Sequence, residues 1–130
     1  MANENKPLLS KEDLIFVYTR AQAIEDGVLI DVSEKARETG FRYPVAITAA
    51  LWADINAIPE SKSWQDPQGR LWDVLFMAQE AIRRSKQGGS ALLYRLILPI
   101  GQSTYYTVKL VCGPGDEGEP VVTLLRPEED

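Results

Sequence analysis

Apolar residues recur along this chain at two periods, and the switches between them mark its elements. Thr19 followed by Gln22 fits a capping box, in which each side chain satisfies an orphan backbone N–H. That predicts a helix from Arg20 to Asp26, stopped at Gly27, a residue suited to a left-handed C-cap. Upstream, Ser10 begins Ser-Lys-Glu-Asp, an N-cap for a single helical turn. Ile15, Phe16, Val17 and Tyr18 then read as a short strand. Val28 to Val32 is a second β-rich run, and Ser33 caps a short helix ending at Gly40. Pro44 suits the first position of a further helix reaching about Ala57, with Val45, Ala49, Trp52 and Ile55 at helical spacing and Pro59 closing it. Glu60 to Gly69 is a polar loop.

The clearest helix runs from Arg70 to about Lys86. Leu71, Leu75, Ala78 and Ile82 share one stripe, which Trp72 and Phe76 widen, and Asp73, Gln79, Glu80 and Arg83 take the opposite side. Gln87-Gly88-Gly89 ends it. Three strands follow. Ala91 to Ile100 sets Leu92, Tyr94, Leu96 and Leu98 against Leu93, Arg95 and Ile97. Ser103 to Cys112 sets Tyr106, Val108, Leu110 and Cys112 against Tyr105, Thr107, Lys109 and Val111, after a turn at Gly101-Gln102. Pro120 to Arg126 is reached through a glycine-rich loop. Sequential strands on short links pair as an antiparallel meander. The expected class is α+β: a short N-terminal β-α-β and helices packed on a C-terminal three-stranded antiparallel meander.

The 130 residues, 45% apolar and 25% charged, fit a single domain spanning 1–130, with 1–7 and 127–130 as frayed ends. No run reaches the ~18 apolar residues of a membrane span. The polar start from Met1 to Asp13 has no stretch of signal-peptide length, so a cytoplasmic protein is expected. Histidine is absent and Cys112 is the sole cysteine, which removes Ser-His-Asp and Cys-His catalysis, His- or Cys-based zinc sites and intrachain disulfides. Cys112 itself is expected in the core.

The net charge is −5. Residues 70–109 are locally basic, with Arg70, Arg83, Arg84, Lys86, Arg95 and Lys109 against Asp73 and Glu80. Residues 113–130 are acidic, with Asp116, Glu117, Glu119, Glu128, Glu129 and Asp130 against Arg126. Direct nucleic-acid binding is therefore not expected, although Arg83, Arg84 and Lys86 at the end of the long helix would form a basic patch if the sheet brought Arg95 and Lys109 alongside.

Three segments belong together: Ile15 to Ser33, Gly69 to Ala78, and Gly113-Pro-Gly-Asp-Glu-Gly-Glu-Pro-Val-Val122. In this order they make the chain, over nearly its whole length, resemble a small bacterial family of unknown function carried on plasmids and integrative elements. The resemblance implies a compact cytoplasmic accessory protein of mobile or phage-derived DNA, with anti-defence among the roles the setting allows. It brings no catalytic residues.

Gly113-Pro-Gly-Asp-Glu-Gly118 matches the dinucleotide fingerprint letter for letter. A strand enters the loop, but Glu119-Pro120-Val121-Val122 leaves as another strand, and the carboxylates repel phosphate, so a turn is expected. Tyr18-Thr19-Arg20 feeds a helix N-terminus, where an anion docks on free N–H groups with Arg20 as a guanidinium fork. Over a dozen residues this stretch also resembles the nicotinamide pocket of ADP-ribosyl transferases, though no matching Glu on a later strand is identifiable. Asp66-Pro-Gln-Gly-Arg-Leu-Trp-Asp73 gathers Asp66, Arg70 and Asp73 around a helix start; Asp66 serves equally as a cap, and Trp72 as core.

These readings leave two functions. The first is an interaction or accessory protein with an unidentified protein partner, working as a monomer or weak homodimer. The second is a small enzyme or binding protein for a nucleotide-like anion, built on Tyr18, Thr19, Arg20, Asp66, Arg70 and Asp73. Neither calls for a metal or cofactor.

Overall fold

The computed structural model describes residues 18–62, 65–85, 89–100 and 103–129. Local chemistry sets its first element. The Thr19 hydroxyl accepts from the Gln22 N–H, and the Gln22 side chain accepts from the Thr19 N–H, each at 3.0 Å. This capping box starts α1 (Arg20–Glu25), and Gly27 ends it at φ 81°. β1 (Leu29–Asp31) and α2 (Ser33–Glu38) follow. The readings at Ser10 and Ile15–Val17, the turn at Gly101-Gln102 and the end of the long helix at Lys86 lie outside the described residues; Tyr18 belongs to no strand.

The helix expected from Pro44 is instead two elements. Val45–Thr48 is β2, and α3 (Ala49–Asn56) begins only after Thr48, whose hydroxyl accepts from the Leu51 N–H at 3.3 Å. Val45, Ala46 and Ile47 are all buried. A short run buried on both faces suits a central strand, and its helical spacing with Ala49 arises because a strand feeds directly into a helix. β2 pairs antiparallel with β1 and parallel with β5 (Pro120–Leu125). β5 pairs antiparallel with β4 (Ser103–Pro114), which pairs antiparallel with β3 (Ala91–Ile100). The three-stranded meander is thus one side of a mixed five-stranded sheet in the order β1-β2-β5-β4-β3. The class is α+β.

α4 (Pro67–Arg84) starts three residues earlier than its apolar pattern indicates. Asp66 is its N-cap, accepting from the Gly69 N–H at 2.8 Å, with Pro67 at the first helical position. Leu71, Val74, Leu75 and Ala78 form its buried stripe. Trp72 and Phe76 do not widen that stripe: they are 38% and 39% exposed, with rings stacked 5.0 Å apart. At 100° per residue, Val74 flanks one side of the Leu71–Leu75–Ala78 line, and Trp72 and Phe76 fall on the other, toward solvent.

The core joins Leu71, Val74, Leu75 and Ala78 to Leu51 and Ile55 of α3, Ala36 of α2, and Val45, Ile47, Tyr94, Leu96, Leu98, Val108, Leu110, Val122 and Leu124 of the sheet. Those strand residues share one face by register. The opposite face carries Ala46, Thr123, Val111, Lys109, Thr107, Tyr105, Leu93, Arg95 and Ile97. α1 sits over the Thr123 end of that face, where Arg20 Nη1 donates to Thr123 Oγ1 at 2.7 Å.

Two further expectations change. Cys112 is exposed although it follows Val108 and Leu110 on the same face: it lies opposite Ser90, just beyond the end of β3, and outside the buried core. The segment 127–129 is tied down instead of frayed. The Glu129 carboxylate accepts from the Thr48 hydroxyl at 2.7 Å and the Arg126 N–H at 2.8 Å, and its carbonyl accepts from Lys109 Nζ at 2.6 Å.

Candidate functional site

The helix start after Thr19 already holds an anion, and it is the protein's own. Asp116, at the tip of the β4–β5 hairpin, accepts from the backbone N–H of Arg20 at 2.7 Å and of Ala21 at 3.0 Å. The Arg20 guanidinium turns to the sheet, donating to Thr123 Oγ1 and, at 2.8 Å, to the Val122 carbonyl. It lines a cleft of about 190 Å³ with Asp31, Ser33, Asp116 and Glu119. Burial lowers its pKa, and the carboxylates of Asp31, Asp116 and Glu119 push the other way. Three carboxylates against one cation give the cleft the wrong sign for a phosphate or nucleotide. Tyr18 stands apart, its hydroxyl donating to Asp26 Oδ2 at 3.0 Å.

The glycine-rich loop closes a hairpin. The Gly115 N–H donates to the Glu119 carbonyl at 2.6 Å, and Gly118 takes φ 84°. The Glu119 carboxylate folds back to accept from the Glu117 N–H at 2.9 Å, and a Cβ at Gly115 would lie 2.6 Å from it. The N–H groups that would cradle a pyrophosphate are used internally, and β5 leaves where a helix would have to.

Asp66, Arg70, Trp72 and Asp73 line a second hollow of about 400 Å³ with Gln65 and Gly69. Arg70 is only 3% exposed and its fork is filled. Nε donates to the Ile55 carbonyl at 2.9 Å, Nη2 to the Asp54 carbonyl at 3.2 Å, and Nη1 to the Pro99 carbonyl and Gln65 Oε1 at 3.0 Å. The guanidinium ties the C-terminus of α3 to the end of β3, satisfying carbonyls that a helix end leaves open. Burial lowers its pKa. The same α3 turn is held on its other side. Arg126 grips the Asp54 carboxylate with Nε and Nη2, both at 2.9 Å, and the Tyr106 hydroxyl donates to Asp54 Oδ2. Burial alone would raise the Asp54 pKa, but the hydrogen bonds from Arg126 and Tyr106 outweigh it and hold it below the usual carboxylate range.

Among the described residues, the six sequence candidates therefore fall into two groups joined by no hydrogen bond, one at the start of α1, where Arg20 lines its cleft, and the other lining the hollow beside Asp66. Tyr18, Thr19 and Arg20 belong to the α1 end of one sheet face, and Asp66, Arg70 and Asp73 to α4 on the other. Of the basic patch, Arg84 and Arg95 come together along one hollow, and three of its charges have partners of their own. Lys109 is held by Glu129, and Arg83 and Arg84 lie 2.7 and 3.8 Å from Glu80.

A different surface is open. β3 is the last strand of the sheet, ten residues long, and no described strand pairs with its outer side. Two hollows run along that edge beneath α4. One, of about 430 Å³, is lined by Asp73, Phe76, Met77, Arg95, Ile97 and Tyr105. The other, of about 410 Å³, includes Met77, Ala81, Arg84, Leu92, Leu93 and Arg95. Leu93 and Ile97 are 59% and 64% exposed, more than the other large apolar side chains of the described residues. The Arg95 guanidinium lies 4.9 Å over the Tyr105 ring. The Asp73 carboxylate has no hydrogen bond or ion pair with a described residue, and burial raises its pKa. The signal for this surface was in the sequence: Leu93 and Ile97 are apolar on the face opposite Tyr94, Leu96 and Leu98, so both sides of β3 are apolar although only one is covered. Periodicity could not show that β3 would be an edge.

Among the described residues no group of histidine, cysteine and acidic side chains is arranged to hold a metal ion, and no helix is long and apolar enough to cross a membrane. No curated protein and no solved structure matches the chain. A family model matches residues 6–130, and the chain belongs to that family, the DUF6573 family of unknown function.

Proposed function

We propose that the protein is a non-enzymatic interaction module that receives an extended polypeptide along the free edge of β3. The observation that carries this reading is the ten-residue unpaired edge bordered by exposed Phe76, Leu93, Ile97 and Tyr105. A strand added there gains main-chain hydrogen bonds from the edge, while side chains on its α4 side enter the two hollows. Native sheets blunt exposed edges with charge, proline or a bulge, because they template unwanted pairing. Here Pro99 and a register irregularity between Ile97 and Ile100 are confined to the end of the strand, and Arg95, the one charge, is folded over Tyr105. A contiguous apolar patch rimmed by charge marks an interaction surface. The absence of histidine, the acidic lining of the Arg20 cleft and the filled fork of Arg70 agree with a binding role. An accessory protein of bacterial mobile DNA, acting in the cytoplasm, fits a module of this kind.

The test is a selection of random displayed peptides on the wild-type protein, repeated on Ile97→Arg, with hydrogen exchange on the complexes. Selected peptides are expected to protect β3 amides and to lose binding to Ile97→Arg by at least tenfold. Peptides that bind Ile97→Arg equally well, or that protect α1 and the β4–β5 hairpin instead, would overturn the reading.

A further inference from the structure

We infer that the strand added at this edge is β3 of a second copy of the chain, paired antiparallel about a two-fold axis through Arg95. The inference rests on the edge being a pairing surface and names its occupant.

The register is self-complementary. A two-fold at Arg95 places Leu93 opposite Ile97 of the second copy, and Ile97 opposite its Leu93. These two side chains are the most exposed apolar residues of the strand, and cross-strand pairs of this kind are the unit of sheet stabilisation. On the other face the same register sets Leu92 opposite Leu98, and Tyr94 opposite Leu96, all apolar. The pairing ends before Pro99, which has no N–H to give. Arg95 facing Arg95 would be repulsive, but each guanidinium lies over its own Tyr105. Tyr105 is on β4, the inner neighbour, so both charges are drawn away from the axis.

Charge complementarity points the same way. Asp73 lines the hollow at the Ile97 end, Arg84 lines the hollow at the Leu93 end, and Met77 and Arg95 line both. A two-fold through Arg95 exchanges the hollows, bringing Asp73 toward Arg84 of the second copy and Arg84 toward its Asp73. Within one copy neither has a close partner: Asp73 has none among the described residues, and Arg84 reaches Glu80 only at 3.8 Å. Glu80 is already held by Arg83 at 2.7 Å. An isologous interface needs one patch that is its own complement, and this edge meets that condition in register and in charge.

Analytical ultracentrifugation of the whole protein, together with cysteine pairing in a Cys112→Ser background, tests the inference. The wild type is expected to dimerise, and Asp73→Arg and Arg84→Asp each to weaken the dimer at least tenfold. The double exchange Asp73→Arg with Arg84→Asp is expected to restore it. Arg95→Cys should cross-link to itself under mild oxidation. Leu93→Cys and Ile97→Cys should cross-link when mixed and not when alone. A wild type that stays monomeric to millimolar concentration would overturn self-pairing, as would a dimer in which Arg95→Cys does not cross-link. If β3 then still takes up selected peptides, the edge remains a pairing surface with another occupant. If it takes up none, the proposed function falls as well.

Discussion

The Asp116 carboxylate and the Arg20 backbone N–H meet at 2.7 Å across 96 positions of sequence. That contact docks a six-residue helix, too short to be stable alone, on the tip of a hairpin. Asp116→Ala is expected to cost about 1 kcal/mol, the usual value of a capping carboxylate. Glu117→Ala should be near neutral. Urea unfolding measures both, and amide exchange should show the Asp116→Ala loss confined to α1.

Arg70 is structural, and its removal should be severe. Arg70→Ala takes the guanidinium donors from three backbone carbonyls at the junction of α3 and β3, of which only that of Asp54 keeps another donor, the Ala57 N–H, at an expected cost of about 3 kcal/mol. Arg70→Lys should recover only part of this, because an ammonium cannot reach three divergent acceptors as a planar fork does. Denaturant midpoints of the two variants against wild type decide it.

Within α4, Leu75 and Trp72 should separate sharply. Leu75→Ala removes a fully buried side chain and should cost roughly 2–5 kcal/mol. Trp72→Ala loses a partly exposed ring stacked on Phe76, worth about 0.5–1.5 kcal/mol beyond the area lost. A Trp72→Ala loss as large as that of Leu75→Ala would place the ring in the core.

Acid stability should depend on Asp54. Its folded pKa is depressed by Arg126 and Tyr106, so its contribution is complete above the unfolded value of about 4. It is lost as pH falls through the lower folded value, where the unfolded chain has already taken up the proton. Asp54→Asn should therefore be less stable than wild type at pH 7, with the gap narrowing below about pH 4. Chemical unfolding at a series of pH values between about 2 and 7 provides the measurement.

The sequence by itself determined the elements whose causes are local. Thr19 and Gln22 specify the start of α1 wherever the rest of the chain lies, because both partners of the capping box are within four residues. The alternation through Leu92–Leu98 and Tyr106–Leu110 specifies two strands and their buried face, because side chains in a strand alternate sides irrespective of their neighbours. Tertiary structure alone decided what depends on distant partners. Val45–Ile47 is a strand because β5 and β1 lie on either side of it, although Val45 sits at helical spacing with Ala49, Trp52 and Ile55. Trp72 and Phe76 lie outward because the Val74 flank of α4 meets the sheet, a choice between two equally apolar sides. The helix start at Arg20 reads as an open anion site until Asp116 arrives from the far end of the chain. Arg70, written as a charge, becomes a buried tie because carbonyls from α3 and β3 converge on it. No period along the chain records such convergence, since backbone carbonyls belong to every residue alike.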